Sequence, residues 1–194
     1  MSDAQRHAQR ALAMDAFLED EPAILLSLYA ATLMAGDVDA AWKWCEQGAR
    51  ESPEDVRFIE CQLTLLAEDL TRSPSPDRAW ALVKKAEQLE PTPSAVAAGR
   101  ALMPPYRRMQ AAIILARAGR KDSAIAVASR VKNASQQDPD LQLDLAYEEA
   151  FMHLMLGNES AARSLLSRYR LARPSMDSLV RVDPRWRGLW AQRQ

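Results

Sequence analysis

The sequence predicts an all-α protein built from repeated helical hairpins, and three observations support this prediction. Strong helix formers such as alanine, leucine, arginine and glutamate dominate the 194 residues, which include only 6 glycines. Apolar residues recur at spacings of three and four, which is the spacing of one face of a helix. A frame of small and apolar residues that closes on a proline also recurs along the chain.

The frame is clearest in the segment AGDVDAAWKWCEQGARESP, residues 35–53. After a Gly-Asp turn come the small residue Ala41, the apolar Cys45 and the small Gly48, and Pro53 follows twelve positions after Ala41. The residues that open each copy of the frame are Ala4, Ala41, Ala79, Ala124 and Ala162. Such recurrence indicates helical pairs that bury their apolar faces against their neighbours.

Each copy is interpreted as a helix, a tight turn, a second helix and a turn marked by proline. Pro22 and the pair Pro104-Pro105 suit the first turn of a helix, where the N–H that proline lacks would have no partner. The predicted hairpins are residues 21–53, 54–91, 104–139 and 141–174. An N-terminal half-unit, residues 1–20, precedes them, and this half-unit suggests that the chain is the C-terminal part of a longer protein.

Two segments interrupt or follow the repeats. The proline-flanked insertion PTPSAVAAGRALMPPYRR, residues 91–108, is interpreted either as a surface loop or as a hinge between pairs of hairpins. In the final segment, residues 175–194, Asp183 is a suitable N-cap and Pro184 a suitable first helical residue. We expect a capping helix there, whose apolar edge covers the end of the stack while its arginines face water.

The charges are unevenly distributed although the net charge is only −1. Residues 1–70 hold 14 acidic and 5 basic side chains, whereas residues 163–194 hold 8 arginines and 2 aspartates. This distribution is typical of solvated helix faces, and it also suits a protein that self-associates as a homo-oligomer. A Trp-rich basic arm that binds nucleic acid is the weaker interpretation, because the chain as a whole is acidic.

The remaining composition predicts a soluble, cytoplasmic protein. Cys45 and Cys61 lie outside any CxxC spacing and on predicted buried faces, so they are interpreted as small core hydrophobes in a reducing compartment. The first residues lack the apolar region of a secretory signal. The longest apolar runs, such as AAIILA at 111–116, are too short to span a bilayer, so no membrane contact is expected.

Catalysis is not predicted. Glu149 and His153 stand four residues apart on one helix, where their side chains can meet. They are interpreted as a hydrogen-bonded pair rather than as half of a metal site, because no further histidine or cysteine completes a ligand set. Phosphate-binding, dinucleotide-binding and nucleophile-elbow motifs are also missing, so neither an enzyme nor a cofactor is expected.

The frame resembles the tetratricopeptide repeat, a helix–turn–helix unit of about 34 residues. It is also loosely similar to the C-terminal repeat domains of bacterial signalling proteins. The residues that carry the resemblance in the first two hairpins are Gly36, Asp37, Ala41, Gly48, Pro53, Ala79, Ala86 and Pro91. The resemblance implies a right-handed α-solenoid that acts as a protein–protein interaction scaffold.

The resemblance further implies that the first helices of the units line a concave groove. The side chains that it assigns to a peptide-binding groove are Leu26, Leu33, Met109, Ile113, Tyr147, Phe151 and Leu154. Because this lining is mostly apolar, the expected partner is a protein or peptide that supplies an amphipathic helix or an apolar segment.

Three other interpretations stay open. The groove side chains could instead pack against neighbouring helices or the capping segment. The chain could be a self-assembling architectural module, driven by its charge asymmetry. It could also be a small-molecule-sensing domain with a pocket near Tyr147, Glu149 and His153.

Overall fold

The computed structural model describes residues 21–89 and 104–190, and in these ranges it is helical without strands, which confirms the predicted all-α class. Within these two ranges the eight longer helices are α1 (Glu21–Met34), α2 (Val38–Glu51), α3 (Val56–Glu68), α4 (Pro76–Leu89), α5 (Pro104–Arg117), α6 (Lys121–Ala134), α7 (Pro139–Met155) and α8 (Glu159–Ala172). The predicted half-unit 1–20, most of the insertion (residues 91–103) and the last residues 191–194 lie outside the described residues. No helix in the described ranges combines the length and the apolar character needed to cross a membrane.

Glycine makes the tight turn in three of the hairpins. Gly36, Gly119 and Gly157 have φ angles of 78°, 73° and 72°, a backbone region that only glycine enters at little cost. After α1 the N–H of Gly36 donates to Leu33 O at 2.9 Å and the N–H of Asp37 donates to Thr32 O at 2.9 Å. This is the Schellman arrangement, and it recurs after α5 and after α7. The repeated glycine in the sequence therefore marks the ends of these first helices.

The chain divides into two compact units, and the first comprises residues 21–65 and 81–89 of the described ranges. Here α1 packs along α2. The small residue Gly48 is required because the ring of the buried Phe58 lies directly against it, and a Cβ at Gly48 would stand 1.9 Å from Phe58 Cε1. This contact explains the small residue in the repeating frame, since it allows α3 to lie close to α2.

The cysteines of the first unit are joined to each other. Cys45 on α2 and Cys61 on α3 form a disulfide, with their Cα atoms 6.0 Å apart. Both are buried, as the sequence predicted, but the expectation of two free thiols is wrong. The physical reason is the close approach that Gly48 permits, which brings the two helices within the reach of a disulfide.

The second unit comprises residues 66–80 and 104–190 of the described ranges. Its central helix is α5, which packs against α6 and α7, while α7 also packs along α8. Arg117, at the end of α5, donates from its guanidinium to the carbonyl of Leu66, to Asp69 O at 2.5 Å and to Arg72 O at 2.8 Å. These bonds satisfy carbonyls at and beyond the C-terminus of α3 that have no partner within the helix.

The C-terminal segment, which we define as residues 174–190, is not the single capping helix that the sequence predicted. It consists of a 3-10 turn (Pro174–Met176), the short helix α9 (Asp177–Val182), a second 3-10 turn (Pro184–Trp186) and one turn of helix, α10 (Arg187–Trp190). Asp183 and Pro184 do mark a new start, because the Asp183 carboxylate accepts from Arg185 N at 2.9 Å. Asp183 itself is extended (φ −60°, ψ 120°), as expected for a residue before proline, and it breaks the segment in two.

Candidate functional site

The candidate site lies in the second unit, where the C-terminal segment packs on α7. Tyr147 and Phe151 stand one turn apart on α7 and therefore share a face of that helix. The indole of Trp186 meets both rings edge to face, with centroids 5.4 Å from Tyr147 and 5.8 Å from Phe151. Such pairs are favourable beyond the area that they bury. Trp186 is 0% exposed, so it anchors the segment.

Hydrogen bonds fix the orientation of these rings. Trp186 Nε1 donates to the hydroxyl of Tyr147 at 2.8 Å, and that hydroxyl donates to Asp183 Oδ2 at 2.5 Å. Burial raises the pKa of Tyr147, and the hydrogen bond to Asp183 raises it further, although the charge of Arg185 opposes both. The phenol therefore keeps its proton at neutral pH and remains a donor to Asp183.

Arg185 is the charged centre of the site. Its guanidinium lies 4.9 Å from the ring centroid of Tyr147 and 5.6 Å from that of Phe151, within the range of cation–π attraction. It also forms ion pairs with Asp183 at 2.8 Å, Glu68 at 3.0 Å and Glu148 at 3.5 Å. Only 16% of the side chain is exposed, so the expectation that the arginines of this segment face water is wrong for Arg185, whereas Arg181 and Arg187 are exposed.

The pKa values reflect three carboxylates around one guanidinium. Burial alone would lower the pKa of Arg185, but Glu148, Glu68 and Asp183 raise it well above its usual value. Burial raises the pKa of Glu68 to about 7, with Arg185 opposing the shift and Glu148 and Asp183 adding to it. Glu68 therefore takes up a proton near neutral pH, while the arginine keeps its charge.

The same face continues as a row of polar contacts between α5 and α7. Tyr106 donates to Asp144 Oδ2 at 2.9 Å, and Gln110 Nε2 donates to Glu148 Oε2 at 3.2 Å. Arg173 pairs with Asp144 at 3.1 Å. The face is thus acidic and aromatic, whereas the sequence predicted a mostly apolar lining. We call the four residues that contact Arg185 and Trp186 from outside the C-terminal segment the docking face: Glu68, Tyr147, Glu148 and Phe151.

The predicted groove residues occupy different environments. Met109 and Ile113 are 0% exposed within α5 and offer no surface to a partner in this conformation. Tyr147 and Phe151 both contact Trp186. For these two residues the alternative interpretation holds, in which the side chains of the predicted groove pack against the C-terminal segment. The remaining predicted residues are half-buried: Leu154 on α7, and Leu26 and Leu33 on α1 of the first unit.

Sequence reasoning missed the ion-paired Glu148 and Arg185 of this site. Glu68 is a groove position by the resemblance to the tetratricopeptide repeat, but its pairing with Arg185 was not predicted. Glu148 has a local signal, since it lies three positions before Phe151 on the same helix. Glu68 and Arg185 are 117 positions apart, and no spacing rule connects residues at that distance in the chain. The Asp-Pro-Arg-Trp motif was visible, but the motif alone does not show that its arginine turns inward.

Glu149 and His153 form a different arrangement from the predicted pair. Lys132 of α6 reaches the Glu149 carboxylate at 2.9 Å, whereas His153 Nε2 is 3.9 Å from it, beyond hydrogen-bond distance. Tyr147 contacts Trp186 of the C-terminal segment and Glu149 contacts Lys132 of α6, so these two residues of the proposed sensing pocket have different neighbours. Across the two described ranges, no three acidic, histidine or cysteine side chains are arranged to hold a metal ion.

Comparison of the chain with protein-family models, with curated proteins and with solved structures found no match. The resemblance to the tetratricopeptide repeat therefore depends on the frame of small residues, turns and prolines, and it stays a prediction. The class that the described residues define is an all-α protein of paired helices, with an acidic and aromatic face on its second unit.

Proposed function

We propose that this chain is a protein–protein interaction module. Its hairpins, of tetratricopeptide-like type, stack into a right-handed solenoid and hold a peptide or helix from a partner on their inner face. One observation supports the proposal above the others: the docking face already holds a short peptide, the C-terminal segment, through the buried Trp186 and the ion-paired Arg185.

The chemistry of the docking face suits peptide recognition. Tryptophan, tyrosine and arginine dominate the binding energy of many protein interfaces, because they combine a large contact area with directed polar groups. Tyr147 and Phe151 provide the aromatic surface, and Glu68 and Glu148 provide charges that a partner must complement. An acidic face of this kind favours a basic partner over a purely apolar one.

Peptide selection tests this function. A phage-displayed library of random peptides is selected on the immobilised full chain, and the affinity of the enriched peptides is measured by fluorescence polarisation. We expect basic peptides that bind Asp144→Asn about fivefold more weakly, because Asp144 supplies part of the acidic row on α7. Glu54→Gln is the matched control, since Glu54 is an exposed residue of the first unit.

Two results would reject the function. One is a selection that enriches no peptide over an unrelated protein. The other is a set of peptides whose affinity falls equally in the Asp144 and Glu54 variants, since the binding would then reflect general charge alone.

A further inference from the structure

We propose that the docking face recognises an arginine followed directly by an aromatic residue. Arg185 and Trp186 occupy this site within the same chain, and a partner peptide with the same pair replaces them. The inference rests on the interaction function proposed above, and it adds the chemistry of the partner and a competition that controls its binding.

The docking face supplies a partner for the guanidinium and for the indole of the pair. The guanidinium of Arg185 meets Glu68 at 3.0 Å and Glu148 at 3.5 Å, and it lies over the ring of Tyr147. The indole of Trp186 donates to the hydroxyl of Tyr147 at 2.8 Å. None of these groups depends on which chain carries the arginine and the aromatic residue.

A segment that only capped the helical stack would not need these charges. Covering the apolar end of a helical stack requires apolar side chains alone. Burial of an arginine with several carboxylates costs desolvation energy, and apolar residues of similar volume often give equal or greater stability. Such an ionic cluster contributes more to the choice of occupant than to stability, and here it selects a guanidinium.

The C-terminal segment has little helical structure of its own that would oppose its release from the docking face. Its helices α9 and α10 have only 6 and 4 residues, too short to be stable alone. Leu179 and Val182 of α9 are 52% and 70% exposed, and the buried apolar side chains of the segment include Val180, Trp186 and Leu189. A tethered segment competes at an effective concentration in the roughly millimolar range. A partner peptide therefore binds well only when its affinity for the docking face is high enough to displace the segment at that concentration.

The test uses a labelled synthetic peptide of residues 180–190, VRVDPRWRGLW, and the full chain. In the variant Arg185→Lys/Trp186→Phe the internal competitor keeps its charge and its aromatic ring but loses the guanidinium fork and the indole donor. We expect this variant to bind the peptide at least about tenfold more tightly than the unchanged chain. A peptide with alanine at the positions of Arg185 and Trp186 binds neither protein.

Two further variants make the result specific. Arg187→Lys changes an exposed arginine of the same segment, and we expect it to bind the peptide as the unchanged chain does. Adding Glu148→Gln to the double variant removes one carboxylate of the docking face, and we expect it to reverse the gain. Should the double variant lose its helical circular dichroism, Arg185→Lys alone is compared, and a smaller gain in affinity is expected.

The proposal is overturned if the folded variants bind the peptide no more tightly than the unchanged chain. It is also overturned if the double variant forms a dimer that the peptide does not dissociate, because the occupant of the docking face would then be a second copy of the chain. If selected peptides bind through Asp144 but the C-terminal peptide does not, this inference fails and the interaction function stands. If no peptide binds at all, the interaction function fails as well.

Discussion

At the scale of single residues, the site is governed by an excess of negative charge. Glu68, Glu148 and Asp183 surround one guanidinium. Burial raises the pKa of Glu68 to about 7, and the charges of Glu148 and Asp183 add to the shift although Arg185 opposes it. The 3.0 Å distance between Glu68 and Arg185 alone would suggest an ion pair that is charged at every pH above the ordinary pKa of a glutamate. In the folded chain Glu68 instead titrates near neutral pH, so the free energy of unfolding depends on the protonation of a residue of the docking face.

The raised pKa of Glu68 makes stability depend on pH. In the folded chain Glu68 keeps its proton up to a pKa of about 7, whereas in the unfolded chain it releases this proton near its ordinary pKa of 4.5. The folded state thus binds more protons between these values, so the free energy of unfolding falls as the pH rises from 4.5 to 7. We expect a fall on the order of 2 kcal/mol by urea unfolding.

The control for this prediction is Glu68→Gln, which removes the titrating group and keeps its shape. The variant should lose most of the slope between pH 4.5 and 7, while both histidines remain in each protein and cancel in the comparison. Parallel stability curves for the two proteins would show that Glu68 is not the group responsible.

A second residue-scale prediction concerns Gly48. Alanine there would place a Cβ 1.9 Å from Phe58 Cε1, so the ring or the helix must move. We expect Gly48→Ala to lower the free energy of unfolding by about 1–3 kcal/mol, the usual cost of overpacking. Gly188→Ala is the control, because a Cβ at Gly188 has no neighbour within 4 Å. Equal urea midpoints for the two variants would contradict the close approach of α2 and α3.

At the scale of helices and turns, local signals in the sequence decided how well each element could be predicted. The turns at Gly36, Gly119 and Gly157 were predictable because each needs a positive φ that glycine adopts freely. The single capping helix was not, because Pro184 both starts one element and ends another. The inward position of Arg185 also escaped prediction, since its carboxylates come from α3 and α7, far away in sequence.

The disulfide gives the element-scale prediction. It links α2 to α3 across 16 residues, and a crosslink closing a loop of about this length contributes roughly 3 kcal/mol by restricting the unfolded chain. We expect a reductant to lower the melting temperature of the unchanged protein but not that of Cys45→Ala/Cys61→Ala. Alkylation in denaturant followed by mass spectrometry counts the thiols directly. Two labelled cysteines in protein kept free of reductant would contradict the crosslink.

At the scale of the whole molecule, the C-terminal segment and a partner peptide compete for the docking face. The docking face of the second unit holds its own C-terminal segment through groups that an arginine–aromatic pair in another chain could use equally well. Binding of a partner and release of residues 174–190 are therefore two sides of one equilibrium. The apparent association constant of a partner is its intrinsic association constant multiplied by the fraction of chains in which the segment is undocked.

Hydrogen–deuterium exchange of the full chain, with and without a saturating arginine–aromatic peptide, tests this competition most directly. The account predicts that amides of residues 174–190 exchange faster when the peptide is bound, while those of α7 around Tyr147 and Phe151 stay protected. A peptide that binds but leaves exchange in residues 174–190 unchanged would contradict it, because both occupants cannot hold the docking face at once.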